Sequence, residues 1–95
     1  MKNNTLRINP DDNVAVATRL IEKGSPVVLN GEQLFDVAED IQPGHKIALS
    51  PIASGKPVFR YGEPIVEATQ DIGQGEWVHV HNTKPILEDA ADLLT

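Results

Sequence analysis

The hydrophobic and polar positions of the chain repeat a seven-residue pattern, Ile-x-x-Gly-x-x-(Val/Ile), four times. The four units begin at Ile21, Ile41, Ile52 and Ile72, and the last two follow the first two by the same 31 residues. In each unit the glycine stands between two apolar residues, where a tight turn between extended segments requires a positive φ. The common shift therefore predicts a fold made of two duplicated halves.

Short segments rich in β-branched or alternating apolar residues predict the strands. These segments are 13–17, 26–29, 46–49, 57–61 and 77–81. Asn30-Gly31 is typical of a hairpin turn. Seven prolines spread along 95 residues argue against long helices. We therefore predict one mostly β domain over residues 1–82.

The pattern changes after residue 82. Apolar residues then follow helical spacing at Leu87, Ala90, Ala91 and Leu94. This spacing predicts a short C-terminal helix, and the alternative for residues 83–95 is a tail or the stub of a linker.

Composition narrows the classes of function. The formal net charge of −6, without a Lys/Arg cluster, argues against a nucleic-acid partner. The absence of cysteine excludes disulfides and thiolate chemistry. The N-terminal residues lack a signal-peptide pattern, and no apolar run approaches the roughly 20 residues that span a bilayer. We therefore expect a cytoplasmic protein that does not contact membranes.

The three histidines occupy corresponding places in the two halves. His45 follows the turn at Gly44, and His79 and His81 follow the equivalent turn at Gly75. In a strand, His79 and His81 would share one face, where they either hold a metal or an anionic oxygen or simply face solvent. Without cysteine, a closed metal site would need histidine and carboxylate ligands, and no spacing supplies one.

Other polar segments also allow two interpretations. Asp11-Asp12-Asn13 is either a turn or cap or a cluster of oxygen ligands. Lys46 either binds a carboxylate or is an ordinary turn lysine. Residues 61–64 predict a turn in which Tyr61 exposes its hydroxyl to a partner. None of these segments identifies a reaction.

Four segments together resemble the N-terminal SAF domain of the altronate dehydratase family. They are Asp12-Asn13-Val14-Ala15-Val16-Ala17, Gly44-His45-Lys46-Ile47-Ala48-Leu49, Tyr61-Gly62-Glu63-Pro64-Ile65 and Gly75-Glu76-Trp77-Val78-His79-Val80-His81-Asn82. The N-terminal domain of galactarate dehydratase and the small subunit of sulfolactate sulfo-lyase are related. The chain departs from the family after Ile65, where Val66-Glu67 replaces the usual Ile-Gly.

The resemblance implies a β-clip (SAF) fold and the role of an accessory domain or small subunit. The whole enzyme would be an altronate dehydratase-like hydro-lyase that eliminates water from a sugar acid. A large catalytic domain or subunit would complete the site, so this chain is not expected to be active alone. The resemblance also implies a divalent metal, iron or manganese, in the assembled enzyme.

The resemblance also suggests site residues. His79 and His81 are the candidates for proton transfer, and they are possible metal ligands in the assembled enzyme. The candidates for substrate binding are His45, Lys46, Tyr61 and Asn82. Three alternatives stay open: a sulfolactate sulfo-lyase-type small subunit, a non-catalytic module that binds a sugar acid or a protein, and a structural adaptor that mediates homo-oligomerisation.

Overall fold

A computed structural model describes residues 2–86, and these residues form nine short strands and no helix. The strands are β1 (Thr5–Leu6), β2 (Val14–Ala17), β3 (Pro26–Leu29), β4 (Glu32–Asp36), β5 (Lys46–Ala48), β6 (Pro57–Arg60), β7 (Glu63–Ala68), β8 (Trp77–Val78) and β9 (Thr83–Lys84). They pair antiparallel in three sheets, ordered β1-β2-β5-β8, β3-β4 and β6-β7-β9. The predicted mostly β fold is confirmed. The C-terminal helix predicted from Leu87 to Leu94 lies outside the described residues.

The four-stranded sheet separates two hydrophobic clusters. Ile47 pairs with Trp77 and so shares a face with it, whereas Val78 projects to the opposite face. The cluster on the Ile47 face consists of Ala17, Ile21, Val27, Val37, Ile41 and Ile47. The cluster on the Val78 face consists of Val14, Ala48, Ile52, Val58, Ala68, Ile72 and Val78. Each cluster is covered by its own hairpin, β3-β4 or β6-β7.

The two clusters correspond residue for residue. Adding 31 to each residue number of the first cluster gives a residue of the second, and Val14 is the one addition. The bridge between Ile21 and Ile41 recurs between Ile52 and Ile72. The glycine of each repeated unit has φ between 83° and 86°. The predicted turns and duplicated halves are therefore confirmed.

The turns of the two hairpins also correspond. Asn30 and Gly31 have φ of 51° and 79°, and Tyr61 and Gly62 have φ of 59° and 73°. Asn30-Gly31 was expected to form this turn because both residues tolerate a left-handed backbone. Tyrosine tolerates it less readily, so the second turn needs support from elsewhere. The predicted turn over residues 61–64 is confirmed at its first two residues.

Asp12 supplies that support. Its buried carboxylate accepts hydrogen bonds from the backbone N–H groups of Tyr61 at 3.1 Å and of Gly62 at 2.8 Å. It also accepts one from the N–H of Asn9 at 3.1 Å. Of the two interpretations of residues 11–13, the structure therefore confirms the turn-forming one.

The sequence missed the partner strands β4 and β7, because neither has a clear alternation of apolar and polar residues. The strand predicted over 77–81 is also wrong beyond Val78, since the chain turns at residues 79–82. Thr83 and Lys84, predicted to lie in the tail, instead add β9 to β7. The boundary at residue 82 itself stays a prediction. Within residues 2–86, the fold contains no helix long and apolar enough to cross a membrane.

Candidate functional site

The three histidines come together around the single tryptophan. The ring of Trp77 lies 5.1 Å from that of His45 and 4.8 Å from that of His79, centroid to centroid, with interplanar angles of 4° and 13°. The ring of His81 lies 4.9 Å from Trp77 and is tilted by 42°. We call these four residues the imidazole cluster.

Strand pairing places the cluster at one end of the central sheet. Ile47 pairs with Trp77, and continuing that antiparallel register places His45 opposite His79. The rings of His45 and His79 are 5.6 Å apart and nearly parallel, at 12°. One histidine comes from the first half of the duplication and two from the second, so the cluster requires both halves to be folded together.

Asn82 determines the path of the loop that carries His79 and His81. Its side chain is 1% exposed, its Oδ1 accepts the backbone N–H of His79 at 2.9 Å, and its Nδ2 donates to the Trp77 carbonyl at 2.7 Å. Its own N–H donates to the carbonyl of His79 at 3.1 Å. The polar groups of Asn82 therefore close the turn after β8. Asn82 was suggested for substrate binding by the family resemblance, and that role stays a prediction; in the structure its side chain holds the backbone of Trp77 and His79.

The indole of Trp77 is the surface on which the three histidine rings pack. An aromatic face attracts cations and packs against flat rings, so it can hold an imidazole in either protonation state. The indole Nε1 is buried without a hydrogen-bonding acceptor among the described residues. Buried donors are nearly always paired, so this unpaired indole N–H is unusual. The arrangement can position imidazoles for proton transfer to a group bound beside them.

The cluster does not fit a metal site built by this chain. Residues 2–86 contain no group of three His, Cys, Asp or Glu side chains placed to hold a metal ion. Imidazole lone pairs lie in the ring plane, and the near-parallel rings of His45 and His79 therefore direct them side by side rather than toward one point. A metal in the assembled enzyme would need ligands from elsewhere.

Lys46 lies on the other face of the sheet from His45, although the two are neighbours in sequence. It pairs with Val78, whose side chain belongs to the second hydrophobic cluster. Burial lowers the pKa of the Lys46 ammonium below its usual 10.5, and the positive charge of Arg60 lowers it further. Tyr61 is 56% exposed, and its ring centroid lies 4.7 Å from the guanidinium carbon of Arg60. The structure therefore divides the candidates between two faces.

Two residues of these surfaces were not singled out in the sequence. Trp77 was noted only as part of a motif, although its i, i+2, i+4 spacing with His79 and His81 could have suggested a common ring cluster. Arg60 gave no local signal. Its effect on the pKa of Lys46 depends on how the second hairpin folds over the sheet.

Comparisons with known proteins agree with these observations. The family model of the altronate/galactarate dehydratase SAF domain matches residues 3–85. The chain belongs to this SAF domain family. The altronate dehydratases of Bacillus subtilis (strain 168) and Escherichia coli (strain K12) are 45% and 42% identical to it, each over 84 residues. The predicted family and SAF fold are thereby confirmed.

The match covers 88% of this chain but only 17% of each altronate dehydratase. The SAF domain thus corresponds to a small part of a larger dehydratase. The remaining part of each relative is long enough to contain other domains.

Proposed function

We propose that this SAF domain is the accessory domain or small subunit of an altronate dehydratase-like hydro-lyase. Its imidazole cluster faces an active site that a large catalytic domain or subunit completes. A sugar acid loses water at that shared site. The observation that carries the proposal is the convergence of three histidines from both halves of the fold on one tryptophan.

The exposure of the loop after β8 supports a partner at this end of the sheet. Val80 lies at the tip between His79 and His81 and is 78% exposed, while His81 is also exposed. A partner that covered the tip would bury Val80 and bring its own groups close to both imidazoles. The hydrogen bonds between the buried side chain of Asn82 and the backbone of His79 and Trp77 keep the loop in place before the partner binds.

Within the cluster, the proposed roles differ. His79 and His81 transfer the proton to the departing hydroxyl, because imidazole changes its charge readily near neutral pH. His45 binds the substrate, and its stacking on Trp77 orients it. We assign the divalent metal, iron or manganese, to the large partner, and a contribution from His79 or His81 to that metal stays a prediction for the assembled enzyme.

The test replaces the matching segment of the Bacillus subtilis altronate dehydratase with this SAF domain. We expect the chimaera to dehydrate altronate, and His79→Ala with His81→Ala to lower kcat about 100-fold or more, the usual contribution of a positioned acid or base. His79→Phe is the matched variant, since it keeps an aromatic ring on Trp77 but removes both nitrogens.

Two controls separate chemistry from folding. Gln70→Ala changes an exposed loop residue and should leave kcat unchanged. Recovery of activity by His79→Phe would mean that His79 acts through ring packing alone. An active chimaera whose turnover is unaffected by the double histidine substitution would contradict the catalytic role and favour a non-catalytic module.

A further inference from the structure

Glu39 contacts the tryptophan of the imidazole cluster from the first half of the fold. One of its carboxylate oxygens, Oε2, accepts a hydrogen bond from the backbone N–H of Trp77 at 3.1 Å. The preceding residue, Ala38, donates its backbone N–H to the carbonyl of Gly75 at 2.9 Å. The segment that follows β4 therefore lies beside the chain that enters β8, and the Glu39 side chain reaches the first residue of that strand.

The hydrogen bond between Trp77 and Glu39 lies on the outer edge of the central sheet. β8 is the last strand in the order β1-β2-β5-β8, so its outer edge has no neighbouring strand. The N–H and C=O of one strand residue point to the same side of the strand. The N–H of Trp77 donates to Glu39, and its C=O accepts a hydrogen bond from the side chain of Asn82. Two side chains, one from each half of the duplication, thus take the place of a neighbouring strand.

The repeated fold does not itself require a carboxylate at position 39. The residue 31 positions later is Gln70, which is exposed, whereas Glu39 is half-buried. The next acidic residue behaves differently. Asp40 and Asp71 are also 31 residues apart, and each accepts a hydrogen bond from a backbone N–H, at 2.8 Å and 2.9 Å. Asp40 therefore serves the duplicated architecture, whereas Glu39 serves the half that contains the imidazole cluster.

We propose that Glu39 is a positioning residue for the imidazole cluster. The rings of His45 and His79 stack on the indole at 5.1 Å and 4.8 Å, so their positions depend on where the backbone of Trp77 holds that indole. A carboxylate is a stronger hydrogen-bond acceptor than a neutral group. Misplacing a reacting group by about 1 Å can lower turnover about 100-fold. The inference rests on the proposed function, because it assigns a further residue to the same site.

The first experiment compares NMR spectra of the separate chain and its variants. Glu39→Ala should change the ring-current shifts of the His45 and His79 ring protons, because the backbone N–H of Trp77 loses its acceptor. Glu39→Gln should keep the parent's shifts, since the amide oxygen of glutamine still accepts a hydrogen bond. Asp40→Ala is the matched control. It deletes a carboxylate that binds a backbone N–H elsewhere, and the histidine shifts should not change.

The second experiment measures turnover of altronate by the chimaera with the Bacillus subtilis enzyme. Glu39→Ala should lower kcat about tenfold or more. Glu39→Gln should retain the parent's kcat, and so should Asp40→Ala. Urea unfolding of each variant establishes that it is folded under the assay conditions. If Glu39→Ala does not fold, Glu39→Asp takes its place: it keeps the charge but shortens the side chain by one methylene, and it should also lower kcat and change the histidine shifts.

Three results would overturn the proposal. Unchanged histidine shifts in Glu39→Ala would show that the indole does not depend on the carboxylate. A Glu39→Gln variant as impaired as Glu39→Ala would assign the effect to charge rather than to the hydrogen bond. An equal loss of kcat in Asp40→Ala would assign it to general destabilisation.

Failure of the proposed function gives a different result. The NMR comparison does not depend on turnover. Histidine shifts that change in Glu39→Ala, together with a chimaera whose turnover is unaffected by His79→Ala with His81→Ala, would remove the catalytic role of the cluster. The positioning of the cluster by Glu39 would then still be supported.

Discussion

Asn82→Ala should destabilise the domain more than its small volume change suggests. The substitution removes the acceptor for the backbone N–H of His79 and the donor to the carbonyl of Trp77. Residue 82 is almost fully buried, at 1% exposure, so water does not readily replace either partner. Each buried polar group left unpaired costs about 1–3 kcal/mol. We therefore expect the free energy of unfolding to fall by about 2–6 kcal/mol for the two groups together, a large share of the roughly 5–15 kcal/mol typical of a domain.

Urea unfolding followed by tryptophan fluorescence measures this loss directly, because Trp77 is the one tryptophan of the chain and contacts the affected loop. With a urea m-value of about 1–1.5 kcal/mol per molar, the midpoint should fall by about 1.3 M or more. Thr83→Ala is the matched control. It deletes the Oγ1 donor to the carbonyl of His79, which keeps its bond from the N–H of Asn82.

The control should therefore lose about 0.5–1.5 kcal/mol. The ring-current shifts of the His45 and His79 protons should also change in Asn82→Ala and stay in place in Thr83→Ala. An unfolding midpoint for Asn82→Ala no lower than that of Thr83→Ala would refute the reasoning, since it would show that the loop does not depend on the buried amide.

Two further predictions concern backbone conformation and charge. Gly75→Ala should lower the urea midpoint more than Gly44→Ala, although both glycines have φ near 85°: a Cβ at Gly75 would lie 2.8 Å from the carbonyl oxygen of Asp36, whereas one at Gly44 would meet nothing within 4 Å. Equal urea midpoints for the two variants would show that backbone strain alone determines the loss of stability. The lowered pKa of Lys46 means that the unfolded chain binds more protons, so this residue's contribution to the free energy of unfolding should rise as the pH rises through that pKa toward 10.5. The measurement is the free energy of unfolding of the parent chain and of Lys46→Met across that pH range, with Lys56→Met as control. The difference between the parent chain and Lys46→Met should grow in favour of the parent chain as the pH rises. A difference that does not vary with pH would contradict the prediction.

Much of the architecture could be predicted from local patterns. Each repeated unit has a glycine, which can adopt a positive φ, three residues before an apolar β-branched residue, and the recurrence of this pattern after 31 residues predicts the turns and the duplicated halves. The partner strands β4 and β7 could not be found in this way. Exposed strands such as Glu32–Asp36 are stabilised by pairing with a neighbour rather than by their own pattern.

The candidate site, like the fold, could be predicted only in part from the sequence. The motifs around His45 and His79 singled out the histidines, and the family resemblance gave them an expected role. Their convergence on Trp77, however, depends on the register between β5 and β8, which the sequence does not specify. His45 and Lys46 are neighbours in one motif, but their side chains lie on opposite faces of the sheet, because adjacent side chains of a strand project to opposite faces.

The turns, the repeat and the family could be predicted from short segments, because each depends on residues close together along the chain. Which polar groups hold the fold and which face outward depends on contacts between distant segments. The buried carboxylate of Asp12 supports the Tyr61 turn, and the buried side chain of Asn82 supports the histidine loop. Hydrophobic packing through Val58 and Val78 brings β6 against the central sheet, and long-range packing of that kind leaves no local trace in the sequence.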